Sequence, residues 1–232
     1  MRPVHKERYI LSINDIAQAL TYVLAMMFAL TFREMARAWT THMLGDDSAL
    51  RMGRLTLNPA AHLDVVGTLV LPMVCALFGL PFIGWAKPIP FDERNFKHPV
   101  RDSIITAISG PVANLSLGFV CMLGLALQAK FHIEALEAGA FLAPLLKLIG
   151  AMIYVNGILA FLNLIPLPPL DGAQLLRLFL SHDQWERFEA VMAPYGIFIF
   201  LFLAFSGGLA WISKVTMIYV QVIERIAALI IH

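Results

Sequence analysis

Two places in the chain set ionisable side chains where they could do chemistry. Arg33-Glu34-Met35-Ala36-Arg37 holds two arginines at i and i+4, on one face of a helix, with Glu34 three residues ahead of Arg37. Asp171 follows the prolines Pro166, Pro168 and Pro169. Both sit in or at the edge of long apolar runs, where a charge costs roughly 2.5–3.5 kcal/mol on insertion scales. A charge retained there is paired, functional, or snorkelling towards an interface. Guanidinium and carboxylate groups within reach of one another form strong charge-assisted hydrogen bonds, so pairing between the two places is one chemistry open to them.

The elements that must position these residues are apolar helices. The 232 residues are 59% hydrophobic and 14% charged, with a mean hydropathy of +0.74, well outside the roughly 45–50% apolar content of soluble domains. An all-α polytopic membrane protein is expected. A net charge of +1, with no long basic run and seven scattered histidines, speaks against nucleic acid as a partner. Cys75 and Cys121 have no Cys or His at metal-ligand spacing, so they read as core or lipid-facing residues. Arg2, Lys6 and Arg8 precede an apolar run as in a signal peptide, but that run continues too far and meets no small-residue cleavage site.

Five spans are expected, over about 16–44, 65–82, 104–127, 141–164 and 192–211, followed by an interfacial helix or sixth span over 212–232. The first runs without Gly or Pro to Gly45 and would be about 45 Å long, against a hydrocarbon core of roughly 30 Å. Its last turns must tilt, emerge or be covered by protein. Gly84-Trp85-Ala86-Lys87-Pro88-Ile89-Pro90 looks extended or hairpin-like, and the prolines after the fourth span must break the helix where protein or water covers the backbone. No linker or clear repeat divides the chain, so residues 1–232 form a single domain.

Phe32 to Trp39 resembles the first-helix motif of site-2 proteases, the intramembrane zinc metalloproteases, in which both arginine positions are histidine. Further matches follow in family order: Leu44-Gly45-Asp46, Gly53 to Pro59 with His62 and Asp64, Gly84 to Pro88, Asn95-Phe96, Gly110 to Asn114, Asn163 to Pro166, and Leu170-Asp171-Gly172. The resemblance covers about Ala29 to Leu178 and implies a site-2-protease-like helical core with a short membrane-associated hairpin or loop. It makes Glu34 the general-base position, Asp171 the third zinc-ligand position, and Arg33 and Arg37 the positions of the two histidine ligands. Asn114 resembles the asparagine that positions substrate or an oxyanion, or else satisfies a backbone group beside Gly110-Pro111. Trp85, Lys87 and Pro88 resemble the loop that meets an unwinding substrate, or else anchor at the interface. His62 and Asp64 read as structural.

Guanidinium has no lone pair to give a metal. His42 stands about 140° round the helix from Arg37, so it does not replace the missing imidazoles. A zinc ion with two neutral histidines and two carboxylates sums to zero charge, and so do two arginines with the same carboxylates. The expectation is therefore an ion-paired site without a cofactor, in a pseudoprotease that binds or regulates a transmembrane segment of a client. An active zinc metalloendopeptidase with an atypical metal site is the alternative, and a transporter a third. The resemblance to short bacterial members implies a bacterial inner membrane, and the excess of basic residues in alternate loops favours a cytoplasmic N-terminus.

Overall fold

The computed structural model describes residues 13–78, 84–131 and 142–231. They form helices and connecting turns with no strand among the described residues. The long helices are α1 (Ile13–Met43), α4 (Pro99–Lys130), α5 (Leu142–Asn163), α6 (His182–Phe205) and α7 (Ala210–Ile231), with the shorter α2 (Ser48–Arg51) and α3 (Leu71–Phe78) between α1 and α4. Among the described residues α1, α4, α5 and α6 are long and apolar enough to cross a membrane. The chain is an integral membrane protein.

Helix α1 ends where Gly45 takes a positive φ of 107° and the Asp46 N–H turns back to the Thr41 carbonyl at 2.9 Å. The run expected over 65–82 is helical from Val65 to Phe78, opening as a π-turn whose first amides are capped by Asp64, which accepts from Gly67 N at 2.7 Å. The remainder of that run lies outside the described residues, as does the first residue of the 141–164 run. Pro99 sits at the first turn of α4, where its missing N–H costs nothing, so α4 begins earlier than the apolar run suggests. Helix α6 also starts early, at His182, because Ser181 and Gln184 form a reciprocal capping box.

The core lies between α1 and α5, where Ala25, Met26, Ala29 and Leu30 meet Val155 and Leu159. Helix α4 packs against both through a stripe of small or polar buried residues, Ser103, Ala107, Gly110, Asn114 and Gly118. Cys75 belongs to a second cluster with Leu167, Phe200 and Ala204, the last two on α6. The tail helix α7 is seated on α4 and α5: a Cβ on Gly118 would lie 2.6 Å from Tyr219 Oη, and one on Gly157 would lie 2.7 Å from Thr216 Cγ2.

Candidate functional site

The buried stripe of α1 runs Ala19, Val23, Met26, Leu30 and then Arg33 and Glu34, at helical spacing throughout. The charges therefore continue the face that packs into the bundle. This removes the snorkelling reading for Arg33, which is 8% exposed, and for Glu34, which is 1% exposed.

Asp171 reaches the same place from the far end of α5. The prolines end that helix, and a 3-10 helix over Asp171–Leu178 starts at the aspartate itself. Gly172 is required by the turn: a Cβ there would fall 2.4 Å from the backbone of Leu164 and Ile165. That close approach folds Asp171 back under α5.

The four side chains form a closed ring of charge. Arg33 Nη1 donates to Glu34 Oε1, and Arg33 Nη2 donates to Asp171 Oδ2. Arg37 Nη1 donates to Glu34 Oε2 at 3.3 Å, and Arg37 Nη2 lies 3.3 Å from Asp171 Oδ1. Every carboxylate oxygen of the pair thus faces a guanidinium nitrogen. Arg33 Nη2 also donates to Asn163 Oδ1 at 2.9 Å, while Asn163 Nδ2 donates to the Leu159 carbonyl at 2.8 Å. Asn163 ties the ring to the last turn of α5; its motif was visible in the sequence, but nothing there pointed to this contact.

Gly110 makes the room. A Cβ at that position would lie 3.1 Å from Arg33 Cγ and 3.2 Å from Arg37 Cδ, so a larger residue on α4 would push the arginine stems by a few tenths of an ångström. Asn114, one turn further along α4, is fully buried, and neither its Oδ1 nor its Nδ2 has a hydrogen-bond partner in the structure. It bonds no backbone group beside the Gly110-Pro111 bend.

The extended segment after Gly84 lies along residues 62–68. Trp85 N donates to the Gly67 carbonyl at 3.1 Å, Thr68 Oγ1 to the Trp85 carbonyl at 2.8 Å, and Lys87 N to the His62 carbonyl at 2.9 Å. The Trp85 ring covers Gly67, where a Cβ would approach it to 2.4 Å. Trp85, Lys87 and Pro88 are exposed at this edge. His62 is buried with Nε2 2.8 Å from the Thr56 carbonyl, and His42 pairs with Asp47 at 2.7 Å. Neither histidine is part of the ring. Among the described residues no three of His, Cys, Asp and Glu come together in a group that could hold a metal ion.

A second ion pair braces the 3-10 helix. Arg177, near its end, donates to Glu93 Oε1 at 2.7 Å and stacks 5.3 Å from the Trp185 ring centroid, joining the Asp171 segment to the loop before α4 and to α6.

Comparison with known proteins gives these motifs a context. The model for peptidase family M50 matches residues 129–203, a stretch holding Asn163 and Asp171. The chain is 36% identical over 181 residues to the protein named Putative zinc metalloprotease YwhC of Bacillus subtilis, covering 78% of this chain and 78% of that one. It is 29% identical over 186 residues to Putative zinc metalloprotease Rip2 of Mycolicibacterium smegmatis, covering 79% of this chain and 66% of that one. To the protein of the same name from Mycobacterium tuberculosis H37Rv it is 25% identical over 195 residues, covering 83% and 69%. No solved structure matches the chain. With helical spans, sequence motifs and relatives in agreement, the chain belongs to peptidase family M50, the site-2 proteases.

Proposed function

We propose that the chain is a silent member of its family, a pseudoprotease of a bacterial inner membrane that binds or regulates a transmembrane segment of another protein. In this reading Arg33 and Arg37 occupy the positions of the two histidine ligands, Glu34 that of the general base and Asp171 that of the third ligand. The observation that carries the reading is the closed ring, in which both carboxylates are taken up by guanidinium groups.

The donor set does not fit a zinc ion. Zinc asks for lone pairs from nitrogen, sulfur or oxygen at about 2.0–2.3 Å. Guanidinium offers none and keeps its proton at any usable pH. Two arginines supply the charge that a dication would have supplied, so the carboxylates stay neutralised without metal.

The exposed Trp85, Lys87 and Pro88 and the buried Asn114 support a retained cleft for a client segment. The second reading, an active metalloendopeptidase, draws on relatives whose names describe zinc metalloproteases. Incubation of purified chain in micelles with zinc and a panel of model transmembrane peptides distinguishes the two. The peptides should remain intact; cleavage that a chelator stops would overturn the silent reading.

A further inference from the structure

At the start of α4 the bundle leaves an apolar groove at headgroup depth. The 32 residues of α4 extend about 48 Å, against a hydrocarbon core of about 30 Å. No charged residue lies between Asp102 and Lys130, so Arg101 and Asp102 mark one end of the apolar stretch. Beside them is an open groove of about 470 Å³. Its walls are Val100, Ile104 and Ile105 of α4 and Leu178 of the 3-10 helix, with His98 and Arg101 among its lining. Val100, Ile105 and Leu178 are 44%, 41% and 63% exposed, left uncovered by the described residues.

The charge at the mouth identifies the kind of molecule that would cover them. His98 and Arg101 of the lining are exposed, and so is Lys97, the residue before His98 in the chain. Arg101 uses Nε on the buried Asp102 carboxylate at 2.8 Å, and its side chain is 61% exposed, leaving the outer nitrogens towards solvent. An apolar floor beside exposed cations at the bilayer edge is complementary to an amphiphile with an anionic head.

We propose that this groove binds an anionic phospholipid, its acyl chain along Val100, Ile104, Ile105 and Leu178 and its phosphate on Lys97 and Arg101. Because Leu178 closes the 3-10 helix that Asp171 opens, the lipid joins α4 to the element carrying the aspartate. This site stands independently of the silent-protease reading.

Native mass spectrometry of the purified chain in micelles containing phosphatidylglycerol or phosphatidylcholine tests it. Phosphatidylglycerol should be retained and phosphatidylcholine lost. Ile105→Trp, which fills the groove, should weaken retention at least about tenfold, and Lys97→Gln about fivefold. Equal retention of the two lipids would overturn the proposal, as would competition by soluble glycerol phosphate as effective as the whole lipid. So would a dimer dissociated by Ile105→Trp, which would give the groove to a second copy.

Discussion

The seam joining α1 to the Asp171 helix and the seam joining α4, α5 and α7 are both buried and both polar, yet they are built on opposite terms. In the first, four charges are paired oxygen by nitrogen, and Asn163 is added to them. In the second, Asn156 and Thr216 are fully buried, each with a polar atom that has no partner in the structure, and closeness of fit is supplied by Gly118 and Gly157 against Tyr219 and Thr216. A neutral group left unpaired costs about 1–3 kcal/mol, which a close-packed seam can absorb. Breaking a buried ion pair costs about 3–5 kcal/mol, a large share of the roughly 5–15 kcal/mol that holds a fold. The first seam therefore depends on the identity of its side chains, and the second on their shape.

The largest expected effect comes from exchanging the identity of the first seam. Arg33→His with Arg37→His should create a site for one zinc, with a binding free energy on the order of 10 kcal/mol if it matches structural zinc sites. Metal analysis after dialysis checks it; a double variant that folds and stays metal-free would mean that the surrounding scaffold no longer converges on a metal.

Arg33→Ala should cost about 3–5 kcal/mol, read from unfolding in detergent, because it leaves two buried carboxylates to share Arg37 and takes the donor from Asn163. Arg37→Ala should cost less, since its two contacts are 3.3 Å and its side chain is the more exposed. If the order were reversed, the ring would not be centred on Arg33. Neutralising Asp171 to Asn in the Arg33→Ala background should recover part of the loss, since Arg37 then balances Glu34 and the site carries no net charge.

In the second seam Gly118→Ala should cost about 1–3 kcal/mol by pushing the Tyr219 hydroxyl off the Leu115 carbonyl, to which it donates at 2.6 Å. Tyr219→Phe, which removes only that hydrogen bond, should cost about 0.6 kcal/mol, in line with hydrogen bonds between membrane helices. A Tyr219→Phe loss equal to that of Gly118→Ala would make the bond, and not the fit, the basis of the seam.

The first seam was largely legible in the sequence and the second was not. Arginines at i and i+4 with an adjacent glutamate, and an aspartate after a proline break, announce a shared site because a charge at membrane depth is too costly to keep without a partner. Helix boundaries were legible where a local signal marks them. Gly45 ended α1 as expected, whereas the starts of α4 and α6 are set by Pro99 and by the Ser181 and Gln184 box, which hydropathy does not register. The seating of α7 depends on which glycines of two other helices meet Tyr219 and Thr216. Apolar periodicity marks a face but not its partner, so neither that contact nor the bond from Arg33 to Asn163 was visible.

If paired arginines stand where a metal would be held, as proposed, the zinc content of the purified wild-type chain, measured beside Asp171→Asn, is where it shows. Zinc should be far below one per chain in both. One zinc per wild-type chain, lost in Asp171→Asn, would contradict it.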